Sequence, residues 1–256
     1  MQVTSTEKPR KVKSILVTLP KPDSDKSPYF ELAKKYNLKI DFRSFIHVEG
    51  VPAKEFRKEK INLGDFTAVI FTSKNAVDHF FRICEEMRFE VSSEMKYFCI
   101  SETIALYLQK YIQYRKRKIF FGKQTASDLA EVLKKNASEK FLFPCSDVAA
   151  EETQKFLTSN GYDFTTAVLF HTVCSDLSDL AEVFYDVIAF FSPSSINSLF
   201  INFPDFKQNF TRIAAFGATT HKAVIDNGLI LNIPAPTPEA PSMTMALEQY
   251  IKQVNK

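Results

Sequence analysis

The chain has 256 residues, 45% hydrophobic and 25% charged, with 33 Lys+Arg against 30 Asp+Glu for a net charge of +3. Divided by a typical ~150 residues per domain, that length gives one large domain or two compact ones, and the apolar content excludes disorder, collagen and coiled coil. The small net charge argues against a dedicated nucleic-acid binder, no apolar run approaches the ~18 residues of a membrane helix, and Met1 to Ser14 show no apolar core of a secretory signal.

In chain order, Ser14 to Thr18 reads as a strand and Ser27 to Tyr36 as a helix with Tyr29, Leu32, Ala33 and Tyr36 on one face. Ala68 to Thr72 is the next buried strand. Ser73 then stands as N-cap of a helix carrying Ala76, Val77, Phe80 and Phe81. Tyr97 to Ile100 leads into a helix from about Thr103 to Gln113. Thr125-Ala126-Ser127-Asp128 fits a capping box ahead of Leu129, Val132 and Leu133. Phe141 to Pro144 is a strand end, and the following helix passes through Phe156 and Leu157 and stops at Asn160-Gly161. This alternation is the pattern of a parallel sheet covered by helices, an α/β fold.

The chain also repeats itself. Val69 to Phe81 echoes Ile188 to Phe200, and Phe98 to Ala105 echoes Ala214 to His221. Thr125 to Leu129 answers Thr237 to Pro241, and Ile15 to Pro20 answers Leu142 to Asp147. The offsets are 119 (Ser73 to Ser192), 116 (Thr103 to Thr219), 112 (Thr125 to Thr237) and 127 (Thr18 to Cys145). Four segments in one order at nearly constant offset imply two similar α/β units of four or five strands each.

In each unit, strands end in small hydroxyl residues at the mouth of a helix. These are Thr18, Thr72, Ser73, Ser101, Thr103, Thr125 and Ser127 in the first half, and Ser192, Ser194, Thr219, Thr220 and Thr237 in the second. Ligands of open α/β sheets sit at this carboxyl edge. Helix N-termini there offer free N–H groups and a positive dipole end, so an anion is the natural guest. Such residues also serve as ordinary helix caps, and their repetition argues for the set rather than for any one member.

Other chemistries find little support. Neither GxGxxG nor GxxxxGK[ST] occurs, and six glycines cannot build a glycine-rich phosphate loop. His47, His79, His171 and His221 are scattered without HExxH and read as surface or strand-end residues. The cysteines at 84, 99, 145 and 174 form no CxxC pair, so no metal is expected, and Cys145 reads as a buried structural thiol. Reduced thiols fit a cytoplasmic protein. Lys110 and the run Arg115 to Lys118 make the densest charge cluster, a solvated helix end or a polyanion contact.

On these residues the sequence resembles the uroporphyrinogen-III synthase family over essentially its whole length. The matching segments are Val69 to Ser73 with Ala76 and Val77, Leu142 to Cys145, Phe190 to Ser194, Phe216 to Thr220 and Ala235 to Ala240. The resemblance implies two flavodoxin-like parallel-sheet domains joined by a two-stranded linker, with the linear tetrapyrrole hydroxymethylbilane bound in a cleft. By that pattern residues 1–45 plus 174–256 form one discontinuous domain and 46–173 the other, with crossing strands Ile40 to Val48 and Thr165 to Val173. The sequence alone would divide near residue 138.

The resemblance further implies a cofactor-independent, metal-free lyase. Water leaves the hydroxymethyl carbon of the first ring, the last ring attacks through its substituted carbon, and the spiro intermediate reopens and recloses with that ring inverted, giving uroporphyrinogen III. The hydroxyl residues above become the expected substrate contacts. Phe170 falls where the family commonly carries a tyrosine thought to help the hydroxyl leave; it has no proton to give, so that role is absent or passes to His171 or water. Thr18-Leu19-Pro20 replaces a usual Arg-Pro pair, and Ser101-Glu102 replaces a Gly-led segment, placing a negative charge near an anionic substrate. Expected partners are hydroxymethylbilane and uroporphyrinogen III, with no nucleic acid and no membrane, and the chain is expected to act as a monomer. Two other readings are a non-catalytic tetrapyrrole-binding or regulatory module on the same scaffold, favoured by Phe170 and Glu102, and a polyanion binder using Lys110 to Lys118.

Overall fold

The computed structural model of the protein describes residues 10–148 and 151–256; most of the polar N-terminal stretch read above lies outside them. The chain divides into two units, the described part of Met1–His47 with Val173–Lys256, and Val48–Thr172. Among the described residues, no helix is long and apolar enough to cross a membrane.

Strand β1 (Ser14–Val17) opens the first unit with three consecutive buried aliphatics. Helix α1 (Pro28–Tyr36) starts on a proline, whose missing N–H would have no acceptor there, and closes at Asn37 in the left-handed region. Strand β2 (Lys39–Phe42) runs parallel to β1, and β3 (Ile46–Gly50) carries the chain into the second unit. The expected continuous crossing strand Ile40 to Val48 is therefore two strands. Lys39–Phe42 keeps its register with β1, and the chain then buries Phe45 in the first unit's core before resuming as β3.

In the second unit come α2 (Ala53–Phe56), β4 (Ala68–Phe71), α3 (Lys74–Glu86), β5 (Lys96–Cys99) and α4 (Glu102–Tyr107). They are followed by β6 (Ile119–Phe121), α5 (Ala130–Lys135), β7 (Phe141–Ser146), α6 (Glu151–Ser159) and β8 (Phe164–Cys174). The helix expected from Thr103 to Gln113 is shorter: after Tyr107 it tightens into the 3-10 turn Leu108–Lys110. Tyr111, Ile112 and Tyr114, poor helix formers, follow. Gly161, at φ +70, ends α6 where a side chain would be strained.

The chain returns to the first unit with β9 (Val187–Phe190), α7 (Pro193–Asn202), β10 (Arg212–Phe216), α8 (Ala218–Asp226), β11 (Leu231–Ala235) and α9 (Met243–Val254). The first sheet has the order β11-β10-β9-β1-β2 and the second β3-β8-β7-β4-β5-β6. The second thus has six strands rather than four or five, because β3 adds to its edge. Backbone bonds Val51 N–H to Leu169 O and Ser175 N–H to Phe45 O, both 2.9 Å, make the β3–β8 ladder antiparallel. All other pairings with a resolved register are parallel. Central strands such as β4 and β9 are buried along their whole length, as a sheet covered on both faces requires.

The two sheets share one strand order. Matching β4, β5, β6, β7 and β8 to β9, β10, β11, β1 and β2 aligns every neighbour, and it is the order in which the sequence echoes run. The caps repeat as well. Ser73 and Ser192 have nearly identical backbone angles (φ −155 and −154), and their Oγ atoms accept from the N–H three residues on, at 3.0 Å from Ala76 and 3.2 Å from Ser195. Ser192→Ala should cost about 1 kcal/mol of stability in chemical denaturation, and Ser73→Ala about the same. No change in either would mean that these hydroxyls do not cap.

Candidate functional site

In the second sheet the connections leave β4 and β7 toward opposite sides, so the loops after these neighbouring strands part and leave a crevice at the carboxyl edge. A pocket of about 430 Å³ occupies it. Thr72, Ser73 and Asn75 enter from the end of β4 and the start of α3, Gln124, Thr125 and Ser127 from the loop after β6, and Ser146 from the end of β7. Glu152 comes from the first turn of α6, and Phe170 from β8. The N-terminus of α3, that of the 3-10 turn Ala126–Leu129 and the first turn of α6 all open on this space, a setting suited to carboxylates.

The expected contacts differ in what remains available. Ser73 accepts the Ala76 N–H and keeps its own O–H to give. Thr125 is held in its cap: Asp128 accepts from the Thr125 N–H (2.8 Å), the Gln124 N–H (2.9 Å) and the Thr125 hydroxyl (3.0 Å). Those backbone bonds hold the Asp128 carboxyl below the usual range. Ser127 Oγ lies 2.8 Å from Thr125 Oγ1. By contrast, the hydroxyl of Thr72 and the side-chain amides of Asn75 and Gln124 make no hydrogen bond among the described residues. Asn75 and Gln124 escaped sequence reasoning, because an amide in a helix's first turn or in a loop looks like any surface residue. Ser101 caps α4 without a side-chain bond, and Thr103 is exposed on the same helix; neither lines the pocket, nor does Glu102.

Phe170 is only 6% exposed, and its ring stacks on that of His79, 5.0 Å away at 19°. Burial, then the charge of Arg82, pushes the His79 pKa down, and its Nδ1 accepts from Arg82 Nε at 3.1 Å. Neither ring of this stack offers an acidic proton to the pocket. Next along the strand, His171 Nδ1 lies 3.0 Å from Asp147 Oδ2.

In the first unit the equivalent switch point lies between β9 and β1. Thr18 is 2% exposed and donates to Ala189 O at 2.9 Å, and Thr220 is 1% exposed inside α8. Both were expected as contacts; both point inward, because the in-or-out phase at a strand end or first helical turn is set by packing. Thr237 Oγ1 accepts from the Ala240 N–H in a tight turn. Ser194 and Thr219 make no side-chain hydrogen bond among the described residues, and Ser192 shares a 2.7 Å contact with Ser195 Oγ. Gly217, at φ +89, lets the chain turn from β10 straight into α8, which places Thr219 at the edge. His221 Nε2 lies 2.9 Å from both Ala215 O and Ala235 O, tying α8 to two strand ends.

The remaining chemistry-bearing residues are structural. Burial pushes the Cys84 and Cys99 thiols up to about 12, and burial with the Asp147 charge pushes Cys145 up to about 11. Among the described residues no group of His, Cys, Asp and Glu could hold a metal ion. The run Arg115 to Lys118 precedes β6 and so lies at the amino edge, away from the pocket; Lys118 is tied to Glu94 at 2.6 Å.

A family model described as uroporphyrinogen-III synthase HemD matches residues 27–245. No curated protein sequence matches with significance. Among solved structures, the uroporphyrinogen-III synthetase of Helicobacter pylori is 18% identical, with a TM-score of 0.62 over 94% of this chain and 99% of its own. A mutant uroporphyrinogen III synthase of the extremely thermophilic bacterium Thermus thermophilus is 13% identical, with a TM-score of 0.58 over 95% and 99%. Both likenesses are of fold.

Proposed function

The chain belongs to the uroporphyrinogen-III synthase family, lyase-type enzymes of tetrapyrrole biosynthesis, and from that premise we propose that it dehydrates and cyclises hydroxymethylbilane to uroporphyrinogen III. The observation that carries the reading to these residues is the pocket at the β4–β7 switch point, where unpaired donors and helix N-termini face one space. Substrate carboxylates dock on Thr72, Ser73, Asn75 and Gln124. Anchoring a flexible chain at several carboxylates brings its two ends together, which removes much of the entropic barrier to ring closure. The Glu152 carboxyl group, in the pocket wall, is placed to face the cationic intermediates. Loss of water and ring closure are redox-neutral, so the reaction needs no redox cofactor. The chain is read as a monomer, and the four free thiols suit the reducing cytoplasm.

Phe170 favours a second reading, a tetrapyrrole-binding module without turnover on the same scaffold. Both readings share the pocket, and one variant tests it. Asn75→Ala with Gln124→Ala removes two amide donors and should weaken uroporphyrinogen III binding by about 1–3 kcal/mol in anaerobic calorimetry. Unchanged affinity would remove the pocket from the binding site.

A further inference from the structure

We propose that the second unit carries a further binding site, at the amino edge of its sheet, for a small aromatic carboxylate with a neutral acceptor at the far end of its ring. The site is independent of the synthase reading, because it lies at the edge opposite the β4–β7 pocket. A cavity of about 180 Å³ is found there, between the starts of β5 and β6, the turn at Ser92 and Ser93, and the segment before β6 that includes Ile112 and Arg115. Strand pairing sets its floor. Tyr97 stands opposite Ile119, and Met95, just before β5, packs in the same core cluster. Val91 and Ile112 complete the apolar wall.

The observation that points to a ligand is the hydroxyl of Tyr97. Tyr97 is 4% exposed and lines the cavity, yet its hydroxyl makes no hydrogen bond among the described residues. The ring is held in place, stacked on Phe71 at 6.2 Å and 9°. Burial, and then the neighbouring Cys84, pushes the Tyr97 pKa up, which keeps the proton on the oxygen. A buried donor with nothing to receive its proton is costly, and a ligand acceptor removes that cost.

Size and charge then define the ligand. A cavity of about 150 Å³ lined by apolar side chains holds benzene, so this one takes a single six-membered ring. Met95 in the wall favours an aromatic ring, through its polarisable sulfur. A charge at the inner end would lose its water against apolar walls, so the atom facing Tyr97 is a neutral acceptor such as a phenol oxygen. The rim supplies a counter-charge for the outer end. Arg115 lines the cavity, and its exposed guanidinium makes no hydrogen bond among the described residues. Lys118, by contrast, is already engaged by Glu94 Oε1 at 2.6 Å and by the Ser93 carbonyl. A carboxylate at the outer end meets the fork of Arg115, for which guanidinium geometry is suited.

Titration of 4-hydroxybenzoate into the full-length protein, labelled at its methionine and isoleucine methyls for NMR, tests the assignment. With about ten non-hydrogen atoms, this probe should bind with a Kd of about 0.1–1 mM and shift Met95, Ile112 and Ile119. Tyr97→Phe should weaken it about tenfold, and Arg115→Ala by a similar factor. Benzoate, which lacks the inner acceptor, should bind wild type and Tyr97→Phe equally. Because the hydroxyl has no partner in the protein, Tyr97→Phe should keep or raise the melting temperature, so its weaker binding is not a loss of fold. No methyl shift at about ten times the expected Kd would overturn the site. So would shifts at Ile100, in the wall of the β4–β7 pocket, in place of those at Met95, or equal 4-hydroxybenzoate affinity in wild type and Tyr97→Phe.

Discussion

Phe98→Ala should lower the stability of the second unit by about 3–5 kcal/mol, the range for deleting a fully buried aromatic ring. Phe98 sits on β5 at 0% exposure. Its ring stacks on Phe120 at 4.9 Å and meets Phe141 edge-on at 5.3 Å and 77°. Leu129 and Leu133 belong to the same buried layer. Truncation removes the transfer energy of the ring and also both aromatic contacts, each worth about 0.5–1.5 kcal/mol beyond area. The strands on either side are fixed by backbone ladders, so the void cannot close by collapse. Denaturant titration followed by hydrogen exchange in β4, β5 and β7 reads the loss in the affected unit. A loss under about 1 kcal/mol would mean that this aromatic layer is not packed as described.

Asp186→Ala should destabilise the first unit by about 3 kcal/mol, through lost charge-assisted hydrogen bonds and a stranded cation. Asp186 Oδ2 accepts from the N–H groups of Lys13 (2.8 Å) and Ser14 (3.0 Å) and from the Ser14 hydroxyl (3.2 Å). Ser14 Oγ in turn accepts from the Asp186 N–H at 3.1 Å. These bonds fasten the start of β1 to the start of β9, the two strands that flank this unit's switch point. Arg212, 9% exposed, has its Nη1 3.9 Å from Asp186 Oδ1, with Nη2 on Arg10 O. Alanine leaves two N–H groups unmet and that guanidinium without its counter-charge. Asp186→Asn keeps the shape and one acceptor and should cost roughly half as much. Guanidinium titration, with hydrogen exchange at Lys13 and Ser14 as the local readout, checks both values. Equal stabilities of wild type and Asp186→Ala would contradict this account of how β1 is held.

What the sequence reveals and what it conceals follow from the range of the interactions involved. Ser73 and Ser192 were legible because a cap is a four-residue affair: an extended serine, a helix behind it, and an N–H three residues on. Strands such as Ala68–Phe71 were legible because burial on both faces leaves an unbroken apolar run. The shared strand order shows through the echoes of Ser73 in Ser192 and of Thr103 in Thr219, although the chain enters the two sheets at different strands. The split of Ile40 to Val48 was hidden, since only pairing with β1 keeps Lys39–Phe42 in the first sheet. The inward turn of Thr18 and Thr220 was hidden for a similar reason: a threonine suits either side of a strand end. Asp147 and His171 lie 24 positions apart and meet only through a one-residue bulge that no local pattern announces.

The most direct test of the central claim is the isomer ratio formed from freshly prepared hydroxymethylbilane, read as uroporphyrins I and III after oxidation. Without an enzyme the linear tetrapyrrole closes without inverting its last ring and yields isomer I. The account predicts that the purified protein diverts the product to isomer III, in proportion to the protein added. Isomer I alone, at the spontaneous rate and with saturating protein, would contradict it.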